Sequence, residues 1–203
     1  MNKLPSFIPL FLTLSMLSAC ASVPRLSECV APSSWTWDGK MLKGKQTVVL
    51  CTSMGDIKLE LDADAAPKTV TNFLALSGSG YYTNLTFHRV IPGFMIQGGD
   101  PTGNGKGGKS IYGEMFEDEI DASSDLYKTG YKAGVLAMAN RGPNTNGSQF
   151  FIMDADYPLP PNYTIFGHVT ENQSVVSAIA RVDRNPGNDM PREKVTFKVV
   201  VLN

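Results

Sequence analysis

Strand-like runs fill most of this chain and only two stretches have helical spacing, which narrows its fold more than any other feature. Residues 47–52 (TVVLCT) and 56–61 (DIKLEL) flank a turn at Ser53, Met54 and Gly55. Alternation in the second run places Ile57, Leu59 and Leu61 on one face. β-type residues return over 81–97, 134–139, 149–153, 165–169 and 194–202. The first helix is expected behind Pro67, with Val70, Phe73 and Leu74 on its apolar face and Gly78 at its end. The second is expected over 171–182, where Val175, Val176, Ile179, Ala180 and Val182 recur at helical spacing. Many strands with two helices predict a mainly β fold, a closed antiparallel barrel.

The first nineteen residues read as a leader. Lys3 gives the positive start, and the apolar stretch 7–17 is too short to span a bilayer as a mature helix. It ends in Leu17, Ser18, Ala19 and Cys20, a pattern that resembles the bacterial lipobox and makes Cys20 the candidate lipidation site. The expectation is an extracytoplasmic protein tethered to a membrane by its lipid. Ala21 stands where an aspartate is associated with inner-membrane retention, so an outer-membrane address is expected in a cell that has one. Residues 20–45, with Pro24, Pro32 and the Trp35–Trp37 stretch, read as a tether, and 46–203 as one domain. Export leaves two readings of Cys29 and Cys51: a disulfide clipping the extension to the first strand, or two free thiols.

Net charge is −1, with no run of like charge, which gives no reason to expect a nucleic-acid partner. The two histidines, His88 and His168, have no cysteine or carboxylate neighbours at metal-ligand spacing, so no metal or cofactor is expected. Adjacent strand residues face opposite ways, which would turn His88 into the barrel and away from Arg89. Residues 103–110 (GNGKGGKS) satisfy a phosphate-loop pattern, but no amphipathic helix follows. The acidic cluster Glu117, Asp118, Glu119 and Asp121 reads as a solvated loop, with a calcium site as the alternative.

Two segments carry the chemistry: FHRVIPGFMIQGGD at 87–100 and MANRGPNTNGSQFFI at 138–152. They bring one arginine among apolar side chains and amides, with no nucleophile. Together with GGKSIYGEMFEDE at 107–119, these segments resemble the signature sequences of cyclophilin-type peptidyl-prolyl isomerases, and the similarity runs through nearly all of 46–203. The resemblance implies an eight-stranded barrel capped by two helices, no cofactor, a monomer, and proline-containing polypeptides as substrates. It implies Arg89 as the catalytic arginine and Gln97 as the residue that orients it. Phe94, Met95, Phe151, Leu159 and Tyr163 would wall the proline pocket, and Ala139, Asn140 and Gln149 would line the peptide groove. Asn144 and Asn146 are read as loop architecture. The implied function is X-Pro isomerisation assisting the folding of exported proteins. The alternative is a module that binds proline-bearing segments with little turnover.

Two positions depart from many members of that family: Tyr163 stands where histidine is common, and Pro158 near the tryptophan of cyclosporin-sensitive members. The expected outcome is isomerisation with weak cyclosporin binding. A titration of isomerase activity with cyclosporin checks this, and nanomolar inhibition would contradict it.

Overall fold

The computed structural model describes residues 27–29, 35–121 and 123–202. Cys20 and the expected leader lie outside the described residues. Among the described residues nine strands form one antiparallel sheet: β1 (Lys45–Thr52), β2 (Gly55–Asp62), β3 (Leu85–Thr86), β4 (Arg89–Ile91), β5 (Met95–Gly98), β6 (Val135–Met138), β7 (Phe150–Met153), β8 (Ile165–Glu171) and β9 (Thr196–Val201). Their order is β3-β9-β1-β2-β8-β6-β7-β5-β4. The two edge strands, β3 and β4, are consecutive pieces of one segment. Between them the Phe87 N–H donates to the Val195 carbonyl at 3.1 Å, and the His88 N–H donates to the Gln97 carbonyl at 3.0 Å. Neighbouring residues thus bond to opposite ends of the sheet and draw its edges together. The expected eight strands become nine because one of them is broken at Phe87 and His88.

That break overturns the strand-alternation reading of His88. Phe87 and Val90 both enter the main core, while His88 and Arg89 line the same external cavity. Two residues out of pleat between β3 and β4 suspend the period of two.

The helices are α1 (Pro67–Gly78), α2 (Asp125–Thr129) and α3 (Gln173–Ala180), with a 3-10 turn at Ser27–Cys29. The expected pair is α1 and α3; α2 is one turn with no apolar periodicity to betray it. Pro67 occupies the first turn of α1, where its missing N–H costs nothing. The Glu119 carboxylate receives the Lys68 and Thr69 N–H groups at 2.9 and 2.7 Å, so it caps the positive end of α1. The acidic cluster is therefore not simply a solvated loop. Asp118 accepts from the Asn144 N–H and the Asn146 amide, and Glu117 pairs with Lys68. Gly78 is the last helical residue; a Cβ there would meet Trp35 Cε3 at 2.6 Å, and the left-handed residue past the helix end is Gly80.

Both faces of the central strands are buried. Ile96, Leu136, Phe150 and Ile152 point into the main core with Phe73 and Phe166. Met95, Val135, Ala137, Phe151 and Met153 form a second apolar cluster on the outer wall. This explains why 149–153 reads as a continuous apolar run. Each aromatic fully buried in such a core is worth about 3–5 kcal/mol against alanine, and Phe73 stacks within 5.1–5.4 Å of Tyr82, Phe150 and Phe166.

Cys29 and Cys51 are bonded in the structure, with Cα atoms 5.7 Å apart and a sequence separation of 22. The bond fixes the 3-10 turn to β1. In the chain-entropy account a loop of this length contributes roughly 3 kcal/mol by restricting the unfolded chain. Denaturant titration of the oxidised and reduced protein checks this: the reduced form should unfold at lower denaturant by that amount, and coincident curves would contradict it.

Candidate active site

The site is a product of strand register on the outer wall. Arg89 on β4 sits opposite Gln97 on β5, and Gln97 sits opposite Phe151 on β7. Arginine, amide and aromatic ring therefore form one row across three adjacent strands. Met95, two residues before Gln97, shares its face and lies beside Phe94 at the β4–β5 turn.

Below this row opens a cavity of about 380 Å³, lined by Arg89, Phe94, Met95, Gln97, Ala139, Asn140, Phe151, Leu159 and Tyr163 among others. Every candidate for catalysis, the proline pocket or the peptide groove except Gln149 lines it. Gln149 belongs to a smaller neighbouring cavity of about 90 Å³ that shares Gln97, Gly105, Ala139 and Asn140 with the first. The two form one groove, and amides run along its floor. The Gln97 amide donates to Gln149 Oε1 at 3.0 Å, and the Gln149 amide donates to the carbonyls of Gly105 and Gly107 at 3.1 and 2.8 Å. Gln97 is thereby held by a donor bond that leaves its own oxygen available as an acceptor.

The apolar end is rigid. Phe151 meets Tyr163 edge to face, with ring centroids 5.5 Å apart. Tyr131 donates its hydroxyl to the Tyr163 carbonyl at 2.8 Å and accepts from the Tyr163 N–H at 3.1 Å. Burial pushes the Tyr131 phenol well above its usual range, so it stays protonated and remains a donor. Phe94 stacks on Tyr157 at 4.5 Å. Asn140 donates its side-chain amide to the Asn162 carbonyl at 2.8 Å, tying the groove wall to the segment before Tyr163.

The glycine-rich loop closes over the polar end. The Asp100 carboxylate, itself buried, accepts from the N–H groups of Thr102, Asn104 and Gly105 and from the Thr102 hydroxyl. Burial raises the Asp100 pKa, but these donors outweigh it and leave the carboxyl below its ordinary value. A Cβ on Gly107 would fall 2.3 Å from Asp100 Oδ1, so only glycine fits there. Donors that a phosphate loop would offer an anion are turned onto an internal carboxylate, and no helix follows.

Sequence reasoning missed several residues. Asn188 and Met190, from the loop before β9, complete the cavity wall. His88 lies buried beside Arg89 with neither ring nitrogen hydrogen-bonded among the described residues; burial, with Arg89 adding to it, pulls its pKa down against the opposing pull of Asp100. Asp154 holds the β4–β5 turn: its carboxylate accepts from the Gly93 N–H at 2.7 Å, Ser177 Oγ at 2.6 Å and Arg181 at 3.3 Å. Asn188, Met190 and Asp154 stand in no recognisable motif; His88 lies inside the first signature segment but reads there only as a structural residue. The candidate metal-ligand group among the described residues, Cys29, Cys51 and Asp56, has its two sulfurs bonded to each other.

Residues 47–201 match the family model described as cyclophilin type peptidyl-prolyl cis-trans isomerase/CLD. The chain belongs to this family. It is 54% identical over 149 residues to peptidyl-prolyl cis-trans isomerase-like 1 of Aspergillus oryzae, covering 73% of this chain and 89% of that protein. It is 54% identical over 157 residues to a Schizosaccharomyces pombe peptidyl-prolyl cis-trans isomerase, covering 76% and 98%. A crystal structure of a Cryptosporidium parvum cyclophilin type isomerase superposes with a TM-score of 0.73 at 43% identity, covering 78% and 98% of the two chains. A second structure of that protein, in the presence of the dipeptide Ala-Pro, gives 0.72 at 42% identity, covering 78% and 99%. These cyclophilin relatives are eukaryotic and lend no support to the bacterial lipoprotein reading, and the family match begins at residue 47.

Asp154 generates a pH prediction. Burial alone would raise its pKa, but the bonds from Ser177, Gly93 and Arg181 win and depress it. A depressed carboxyl contributes stability that is complete above the unfolded value, about 3.9, and is lost as pH falls through the lower folded value. Asp154→Asn should therefore flatten the acid limb of the stability curve and cost about 1–3 kcal/mol at neutral pH. Denaturant titrations of both proteins from neutral pH to pH 2 check this; parallel acid limbs would contradict it.

Proposed function

We propose that this protein catalyses cis/trans rotation of X-Pro bonds from a membrane-tethered, extracytoplasmic position, with exported proteins as its substrates. The observation that carries the chemical part is the row of Arg89, Gln97 and Phe151 over a cavity of about 380 Å³ whose lining includes the apolar side chains of Phe94, Met95 and Leu159. The observation that carries the address is the Leu17-Ser18-Ala19-Cys20 pattern after a short apolar stretch.

Rotation about an X-Pro bond is slow because the amide is conjugated, taking roughly 10–100 s uncatalysed at 25 °C. Conjugation is lost in the twisted state and the lone pair returns to the proline nitrogen. A donor aimed at that nitrogen stabilises the twisted state more than either planar one, which is differential binding with no covalent step. Arg89 supplies such a donor: its guanidinium is always charged and stands at the cavity rim with the side chain 43% exposed. Phe94, Met95, Phe151 and Leu159 fix the proline ring, and Tyr163 walls it in. The peptide groups of Asn140 take no main-chain partner among the described residues, so they can receive the substrate backbone. Gln97 restrains substrate and arginine together. Rotation of one half of the peptide against a fixed proline then needs no nucleophile and no cofactor.

Lipidation of Cys20 would hold the domain at a membrane, each buried methylene adding about 0.8 kcal/mol. Two experiments test the parts separately. Exchange spectroscopy on a peptide with one X-Pro bond should show acceleration by the protein; Phe151→Ala should weaken peptide binding at least about ten-fold, as loss of a buried aromatic contact of 1.5–3 kcal/mol predicts. No acceleration by the intact protein would leave only the binding-module reading. Fractionation of cells expressing the full chain should find it with membranes and Cys20→Ser in the soluble fraction; identical partitioning would remove the tether.

A further inference from the structure

We propose that Asp189 is a positioning residue for Arg89. The proposal rests on the isomerase reading of the site and deepens it.

The loop between α3 and β9 is built to deliver one carboxylate to the catalytic arginine. Its backbone is fixed first. The Asp189 carbonyl accepts the Val90 N–H at 2.9 Å, which docks the loop onto β4 one residue past Arg89. The Asp189 N–H donates to the Asn185 carbonyl at 2.8 Å, and the Asn185 N–H donates to the Met190 carbonyl at 2.9 Å. This tight turn holds Asp189 at a φ of 56°, a left-handed conformation that aspartate and asparagine tolerate better than most residues. The side chain then lies between two guanidiniums. One carboxylate oxygen is 3.2 Å from Arg184 Nε and the other is 3.9 Å from Arg89 Nε.

The approach from the Nε side has a chemical consequence. A carboxylate at Nε steadies the plane of the guanidinium while leaving both terminal nitrogens of Arg89 for the prolyl amide. An unshared carboxylate would also neutralise the arginine where positive charge is needed. Sharing it with Arg184 leaves the cluster of two cations and one anion with an excess positive charge beside the cavity. At 3.9 Å the contact is an ion pair and not a hydrogen bond, so it restrains Arg89 without removing its rotation. Asn188 and Met190, which flank Asp189, already line the cavity, so the loop is part of the site's wall.

Asp189→Asn tests this, because asparagine keeps the size, the left-handed backbone and the main-chain bond to Val90 and removes only the charge. The expected result is a fall in kcat of about ten-fold, the scale of a slightly misplaced catalytic group, with KM and the thermal midpoint at wild-type values. Asp183→Asn is the control: Asp183 pairs with Arg192 in the same loop at 3.2 Å and makes the same change in net charge. It should leave kcat unchanged. Three results would overturn the proposal: Asp189→Asn within two-fold of wild-type kcat, an equal loss in Asp183→Asn, or a loss in Asp189→Asn that comes with raised KM and a lowered thermal midpoint.

Discussion

The register between β4, β5 and β7 is the constraint on which the site depends. Strand pairing fixes partners to single-residue accuracy, because a slip of one residue would exchange the two faces of every strand. Both faces are buried here, so a slip would expose one apolar set and bury polar groups in its place. Ile96 and Phe150 lock the inner face into the main core, while Met95 and Phe151 lock the outer face into the second cluster. Arg89, Gln97 and Phe151 are held in a row by strand pairing and by inner-face packing of Ile96 and Phe150, which do not line the cavity. The same packing makes the wall rigid, and a rigid wall is what fixes a proline ring while the bond beside it turns.

The break at Phe87 and His88 is the second device. A continuous strand from 85 to 91 would alternate, and Arg89 would share its face with Phe87 in the core. Two residues out of pleat let Phe87 enter the core, bring His88 and Arg89 to the groove, and allow one segment to bond both ends of the sheet. Closure of the sheet and exposure of the arginine follow from one local irregularity.

This irregularity also explains how much could be read from the sequence. Arg89, Phe94, Met95 and Gln97 lie within one short segment, and Ala139, Asn140 and Phe151 within another, and it was the resemblance of those segments to the family's signatures that exposed them. The strands and the two longer helices were legible from apolar spacing, and Pro67 marked a helix start. His88 was misread because the alternation rule holds only inside a regular strand. Asp189, Asn188 and Met190 reach the cavity through a main-chain bond to β4, and a carbonyl acceptor leaves no mark on residue type. Tyr131 and Asp154 act through partners far away in the chain, and no local spacing reports such pairs. The acidic cluster looked like a solvated loop because the helix end that Glu119 caps lies some fifty residues earlier.

The central claim is that Arg89 serves the twisted state of the peptide bond and contributes little to holding the planar one. Nuclear magnetic resonance lineshape analysis of a proline peptide, titrated with the wild type and with Arg89→Ala, separates the two quantities. The account predicts that the on-enzyme exchange rate falls on the order of 10²-fold, the scale of removing one transition-state donor, while the dissociation constants of the cis and trans peptides stay within about two-fold. Equal losses of affinity and rate would mean that the arginine only binds substrate, and would contradict the account.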